Sequence, residues 1–135
     1  MRTLRLASTV VALSFATVAV GGDFDGAVPL TCTVKQTLDC VPTKTTCEPM
    51  KAENNIAPVV GIDFAKKQVR SPYRKGTLQV LHTTTNKDSL VLQGADMLLA
   101  WSAMVDKKTG ALTIALADSE GAYVYFGTCK VADKK

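Results

Sequence analysis

The amino-acid sequence predicts an all-β fold: an antiparallel up-and-down meander of about eight strands forming a small barrel, with a β-sandwich as the alternative. No window shows a helical period of apolar residues over about ten or more positions. Short segments rich in apolar and β-branched residues instead alternate with turn signals about every 8–12 residues. The chain also has four cysteines, and an even number favours two disulfides in a small exported protein.

The first strand is predicted at Leu30–Cys40, which is rich in threonine and valine, and residues 41–58 are predicted to be a loop because they contain three prolines. A single helical turn is expected around Lys51–Asn55. The next strands alternate in polarity or end at Asn, Asp or Gly turns. They are predicted at Val59–Ala65, Gln68–Tyr73, Thr77–Thr84 and Ser89–Gln93.

The second half of the chain has clearer turn signals. Gly94–Asp96 is predicted to be a turn before a strand at Leu98–Val105. The Asp106–Gly110 segment is the clearest turn, since Gly110 supplies a positive φ without steric cost. Strands at Ala111–Ala117 and Ala122–Thr128 follow, joined by a turn at Asp118–Gly121.

The N-terminus has the features of a secretory signal peptide. Arg2 and Arg5 precede an apolar run from Leu6 to Val20, and small residues follow it. The run is about 15 residues long, short of the roughly 20 that a membrane-spanning helix needs. We therefore expect residues 1–21 to be removed near Gly21, leaving a single β domain at 22–135 in the bacterial periplasm or secreted, with no membrane span.

The length of the chain predicts one domain, and its charge argues against a nucleic-acid-binding protein. The chain of 135 residues is long enough for one domain. Without the two leader arginines it has 14 basic and 12 acidic residues, a net charge of +2. This balance does not fit a nucleic-acid-binding protein, which needs a concentrated basic face.

The four cysteines are Cys32, Cys40, Cys47 and Cys129, and three pairings are possible. The turn-rich stretch between Cys40 and Cys47 favours a bond between these two. Cys32 and Cys129 then remain, and their bond would join the first and last strands where a barrel closes. A zinc site is disfavoured because no C-x-x-C pair is present.

Sequence motifs of the common enzyme classes are missing. His82 is the single histidine, and it is expected to share a strand face with Leu78 and Val80. No G-x-S-x-G elbow, glycine-rich phosphate loop or metal-binding spacing is present. We therefore predict no catalytic residues, no cofactor and no metal site, and a small hydrolase using His82 is the least favoured function.

The charge distribution is uneven. Residues 64–87 include no acidic residue, and five basic residues fall within Lys66–Lys75. The main prediction is therefore a non-catalytic envelope protein, monomeric or dimeric, that binds an anionic partner or surface through this basic loop. The predicted binding residues are Lys66, Lys67, Arg70, Tyr73, Arg74 and Lys75. Solubility alone also explains many basic surface loops.

A barrel of about eight strands can alternatively enclose a small ligand. Trp101 lies among apolar residues of one predicted strand, and Tyr123 and Tyr125 share one face of the last strand. The alternative prediction is a carrier that holds a small apolar molecule beside Trp101.

Several motifs resemble those of a group of small exported proteobacterial β-proteins. They are Phe24-Asp25-Gly26, Pro29-Leu30-x-Cys32, Ile62-Asp63-Phe64, Trp101, the Asp106…Thr109-Gly110 turn and Gly127-Thr128-Cys129. This resemblance covers most of the mature chain and implies export and fold rather than an activity.

The chain is also similar in size, export and disulfide use to the periplasmic C-type lysozyme inhibitors, which implies an eight-stranded barrel and, as a further alternative, an inhibitor-like role. The S-G-x-x-Y signature of that family has its nearest counterpart at Ser119–Tyr123, where Glu120 separates Ser119 from Gly121. Its Y-x-x-x-T-K-G signature has no match.

Overall fold

The computed structural model describes residues 24–51, 58–72 and 76–133, which form ten β-strands and no helix. The strands are β1 (Leu30–Cys40), β2 (Glu48–Met50), β3 (Val59–Asp63), β4 (Gln68–Arg70), β5 (Thr77–Gln79), β6 (His82–Thr85), β7 (Ser89–Asp96), β8 (Leu99–Asp106), β9 (Ala111–Ala117) and β10 (Ala122–Val131). Within these ranges no helix is long and apolar enough to cross a membrane. The predicted leader, residues 1–21, lies outside the described residues.

The strands pair antiparallel in one curled sheet, in the order β5-β4-β3-β1-β10-β9-β8-β7-β6, with β2 beside β1. The two ends of this order, β5 and β6, are joined by only Val80 and Leu81. The Val80 N–H donates to the carbonyl of Lys67, next to β4, and the Leu81 N–H donates to the carbonyl of Gln93 on β7. β5 and β6 are therefore two halves of one bent segment, which we call the closing segment (residues 77–85).

If the closing segment is counted as one strand and β2 is set aside, the sheet has eight antiparallel strands, which we call the legs of the barrel. Each leg pairs with the next one along the chain, and the last leg, β10, pairs with the first, β1. This arrangement confirms the predicted all-β meander with barrel-like curvature. We call the end where β1 terminates and β10 begins the upper end, and the opposite end the lower end.

The structure corrects several predicted boundaries. The expected turn at Gly94–Asp96 is wrong, since these residues continue β7. The chain instead turns one step later, at Met97 and Leu98, because the Asp96 carboxylate accepts a hydrogen bond from the Leu98 N–H at 3.0 Å. Side-chain acceptance of a backbone N–H two residues on is a standard way for Asp to start a turn.

The predicted loop at 41–58 contains a short strand. β2 pairs with β1 from Thr37 to Asp39, and the disulfide between Cys40 and Cys47 folds the chain back so that it can do so. The predicted helical turn around Lys51–Asn55 falls mainly on residues 52–57, which lie outside the described residues.

The predicted strand at Thr77–Thr84 is one segment, but it bends. Leu78 and Val80 are buried, whereas Leu81 and all of β6 are exposed. His82 therefore does not share the buried face of Leu78 and Val80, and that expectation is wrong. The alternation breaks because the segment changes partner from β4 to β7 at Leu81.

All eight legs contribute inward-facing side chains to a single apolar core, although the β6 half of the closing segment contributes none. The clearest case is β9, where Leu112, Ile114 and Leu116 are buried and the residues between them are exposed, as the alternation predicts. On β8 the buried residues are Trp101, Ala103 and Val105. The remaining buried apolar residues are Leu30, Cys32, Val34, Val60, Ile62, Val69, Leu78, Val80, Leu90, Leu92, Tyr125 and Cys129.

Both disulfides join the favoured partners. Cys32 and Cys129 are direct register partners on β1 and β10, so this bond staples the first and last legs across a sequence separation of 97. Cys40 and Cys47 close a short loop with a separation of 7. No described cysteine is left as a thiol. Two disulfides indicate an oxidising, exported environment, since cytosolic proteins rarely retain them.

The predicted Asp106–Gly110 turn is confirmed. Gly110 has a φ of +69°, and the Gly110 N–H donates to the Asp106 carbonyl at 2.9 Å. The Asp106 carboxylate accepts hydrogen bonds from the N–H groups of Lys108 and Thr109. These bonds lower the pKa of Asp106, the one from the Thr109 N–H most of all.

Candidate ligand-binding cavity

The upper end of the barrel opens into a cavity of about 540 Å³. Its walls come from β1, β2, the residue after β4, the β7–β8 turn and the β9–β10 hairpin. The lining residues are Thr37, Met50, Ser71, Leu98, Leu99, Leu116, Ala117, Asp118, Ser119, Glu120, Tyr123 and Tyr125. Apolar and aromatic side chains predominate, and the polar groups lie mainly in the β9–β10 turn.

The cavity is present because the walls of the barrel differ in height. The β1–β10 ladder continues upward to the pair of Cys40 and Ala122. On its other side, β1 pairs with β3 only from Leu30 to Thr33, and β4 ends at Arg70. The inward-facing side chains of the upper β1 and β10 therefore face a gap rather than a packed neighbour.

A shift in the β1 register brings polar and aromatic side chains to this gap. Val34 pairs with Gly127 and Gln36 with Phe126, so Lys35 is an extra residue in β1. After such a bulge the inward and outward positions change parity. Thr37 consequently faces inward and is buried, opposite Tyr125.

Tyr125 and Tyr123 form the aromatic side of the cavity. Both face inward at alternate positions of β10, Tyr125 is only 6% exposed, and Tyr123 packs against the core. The prediction that these two residues share one face is confirmed. Phe126, on the other face, is exposed.

Trp101 lies just below the cavity. It lines a small void of about 10 Å³ together with Ser71, Leu116 and Tyr125, which also line the cavity. Trp101 is 5% exposed, and its indole N–H has no hydrogen-bond partner in the described part of the chain. A buried donor without a partner is unusual in folded proteins.

Acidic side chains lie at the mouth of the cavity. Asp118 and Glu120 line it, and Asp39 on β1 is the register partner of Tyr123. The negative charge of Asp39 raises the pKa of the Tyr123 hydroxyl above its usual value, and burial and the charges of Asp118 and Glu120 add to this effect. Among the described lining residues none is Lys, Arg or His.

Three residues of the predicted basic loop, Lys66, Lys67 and Arg70, are described by the structure. Lys66 and Lys67 lie in the β3–β4 turn at the lower end, opposite the cavity. The Lys66 ammonium is 3.3 Å from the Asp63 carboxylate, and hydrogen bonding by the Lys66 N–H lowers the pKa of Asp63. Lys67 has a φ of +52°, as the tight turn requires.

Arg70 lies on β4, exposed, with its guanidinium against the backbone of its register partner Gly61. Tyr73, Arg74 and Lys75 lie outside the described residues. The described members Lys66, Lys67 and Arg70 do not line the cavity, and binding through this set stays a prediction.

His82 is exposed on β6 and has Gln93 as its register partner. The described residues contain no group of three or more His, Cys, Asp or Glu side chains arranged to hold a metal ion. The Ser119–Tyr123 stretch, the nearest counterpart to the S-G-x-x-Y signature of the lysozyme inhibitors, forms the β9–β10 turn and the beginning of β10.

Sequence reasoning did not find most of the cavity wall. One signal was present: Met97 and Leu98 are adjacent large apolar residues, and the structure places them in a turn, 97% and 69% exposed. Turns favour Gly, Pro, Asn, Asp and Ser, so an exposed apolar pair in a turn is unusual, and Leu98 of this pair lines the cavity. The pair was overlooked because the turn was expected at Gly94–Asp96.

Comparisons with protein-family models, with curated proteins and with solved structures gave no match.

Proposed function

We propose that this chain is an exported, non-catalytic binding protein that holds a small, largely apolar ligand in the cavity at the upper end of the barrel. The cavity itself carries this proposal. Its volume of about 540 Å³ lies within the roughly 300–1,000 Å³ of typical small-molecule sites. Its composition also fits, since apolar and aromatic walls with a few polar groups are the usual pattern for such sites.

Trp101 supports a ligand at this place. Trp101, whose indole N–H is unpartnered among the described residues, lines the small void that shares Ser71, Leu116 and Tyr125 with the cavity. The large indole ring gives a ligand at this depth an apolar aromatic surface to pack against. The two tyrosines provide flat apolar surfaces at the entrance.

Export is supported by the two disulfides and by the leader pattern at residues 1–21. We propose that the leader is removed near Gly21 and that the mature protein works in the periplasm or outside the cell.

Binding of a neutral hydrophobic fluorophore, N-phenyl-1-naphthylamine, tests the proposal. We expect saturable binding at one site per chain. Leu99 lines the cavity, so Leu99→Trp should fill it and weaken binding about tenfold or more, as overfilling a ligand site does. Met104 is exposed on the same strand, so Met104→Trp is the matched control and should bind like the wild type.

Thermal unfolding of each variant shows whether it is folded. The proposal is wrong if the wild type shows no saturable binding, or if a folded Leu99→Trp variant binds the probe as tightly as the wild type.

A further inference from the structure

The carboxylates around the cavity differ from most others on the surface. Asp63, Asp88, Glu48 and Asp133 each form an ion pair with a lysine. Asp39, Asp118 and Glu120 form no ion pair within the described ranges. Asp25 and Asp106 also form no such pair in the described part of the chain, but they do not line the cavity, whereas Asp39, Asp118 and Glu120 all lie close enough to act on Tyr123.

Two of these groups are held in place by the fold. The Asp118 carboxylate accepts hydrogen bonds from the N–H groups of Glu120 and Gly121, at 2.8 Å and 3.0 Å. Asp39 lies in the β1–β10 ladder opposite Tyr123. Hydrogen bonds therefore fix the Asp118 carboxylate at the cavity, and strand pairing places Asp39 beside Tyr123.

The aromatic groups of the site favour a cationic occupant, as the carboxylates do. Tyr123 and Tyr125 line the cavity, and Trp101 lies below them. The faces of aromatic rings attract cations, and rings clustered in a pocket are a common way to bind alkylated ammonium groups. The apolar side chains of Leu98 and Leu99 complete the wall and suit a hydrocarbon body.

We infer that the cavity selects an organic cation with an apolar body over neutral and anionic molecules of the same shape. This inference rests on the proposed function, because it specifies the ligand class of the same cavity. It is opposed to the sequence-based prediction of an anionic partner, so one experiment decides between them.

Three probes with the same aromatic body and different charge provide the test: 1-naphthylmethylammonium, 1-naphthalenemethanol and 1-naphthoate, each titrated by calorimetry at neutral pH. We expect the cation to bind about tenfold more tightly than the alcohol, and the carboxylate to bind most weakly, since partly exposed charges a few ångströms apart interact by this order. Raising the salt concentration from about 0.05 M to 0.5 M should reduce the difference, because salt screens exposed charges.

Glu120→Gln combined with Asp39→Asn removes two of the three charges at nearly constant shape. We expect this variant to bind the cation about fivefold more weakly and the alcohol as before. Asp133→Asn is the matched control, because Asp133 is a highly exposed carboxylate near the lower end and should leave all three affinities unchanged.

Equal affinities for the three probes would overturn the charge preference while leaving the proposed cavity site standing. Tighter binding of naphthoate than of the cation would overturn the inference in favour of an anionic ligand. If the double variant Arg74→Ala, Lys75→Ala then lost the preference for naphthoate, that preference would be assigned to these basic residues. Failure of all three probes to bind would overturn both proposals.

Discussion

Gly94 is packed so closely between the closing segment and a core side chain that no larger residue fits there. A Cβ atom at this position would lie 2.3 Å from the carbonyl oxygen of Gln79 and 2.6 Å from the ring of Trp101. Both neighbours are constrained, one as backbone and the other as a buried indole. The placement of Trp101 beneath the cavity therefore depends on the glycine across from it.

Gly94→Ala should lower the free energy of unfolding by about 1–3 kcal/mol, the usual cost of overpacking. Gly61→Ala is the matched control, because a Cβ there would meet only the flexible guanidinium of Arg70, at 3.3 Å. Urea denaturation of the two variants measures the difference. Equal losses of unfolding free energy in the two variants would show that the close approach of Gln79 and Trp101 to Gly94 does not determine the cost of the substitution.

Asp106 shows how one carboxylate organises a turn. It accepts three hydrogen bonds, two from backbone N–H groups and one from the Thr109 hydroxyl. These bonds favour the ionised form, and the pKa of Asp106 is consequently below its ordinary value.

Because the folded-state pKa of Asp106 is lowered, its contribution to stability is present above the unfolded-state pKa of about 4 and is lost as the pH falls through the folded-state value. Asp106→Asn keeps an oxygen acceptor but removes the charge. We expect the variant to have a lower Tm than the wild type at pH 6 and a smaller deficit at pH 3. A deficit that stays constant across this range would contradict the assignment.

At the scale of the elements, β1 has the largest structural role. Its lower half pairs with β3 and β10, and its upper half pairs with β2 and β10. The bulge at Lys35 separates the two halves and turns Thr37 inward. One strand thus belongs both to the packed core and to the wall of the cavity.

The two disulfides join β1 to different elements, and they should contribute unequally to stability. In the chain-entropy description, the Cys32–Cys129 loop of separation 97 stabilises by about 4–5 kcal/mol and the Cys40–Cys47 loop of separation 7 by about 2–3 kcal/mol. Replacing each pair with alanine should therefore lower the free energy of unfolding more for the first pair, whose sulfurs also lie in the core. Denaturant titration of the two double variants measures this, and a larger loss for the Cys40–Cys47 pair would contradict it.

At the scale of the whole molecule, the two ends of the barrel differ in chemistry. The lower end has tight polar turns in which lysines pair with aspartates, as Lys66 does with Asp63 and Lys108 with Asp88. The upper end has the cavity, with Asp118 and Glu120 in its lining, and an apolar turn at Met97 and Leu98. This difference is the reason that the cavity, and not the basic run, carries the proposed function.

Much of the fold was predictable because its signals are local. Alternation along Ala111–Ala117 gave a strand with the observed bounds and faces, and Asp106 with Gly110 defined the turn before it. Prediction failed where pairing overrides local pattern. β2 is a strand only because β1 lies beside it, and the closing segment bends only because its partners change.

The candidate site was predictable only in part. The sequence predicted that Tyr123 and Tyr125 share one face of their strand and that Trp101 lies among apolar residues, but not which face of the last strand points inward. The acidic residues around the cavity could not be predicted as a group. Asp39 and Asp118 are far apart in the chain, and only the pairing of β1, β10 and β9 brings them to the same end of the barrel. The basic run is contiguous in sequence, yet its described members Lys66 and Arg70 lie at different levels of the barrel because β4 runs along its axis.

The sequence alone determined the class of fold, the favoured disulfide partners and most of the strands, because alternation and turn chemistry act over a few residues. Tertiary structure alone decided that the barrel has an open upper end and which charges surround it. Those properties depend on the relative heights of legs that are distant in sequence and on a one-residue shift in register, and neither quantity is encoded in any short segment of the chain.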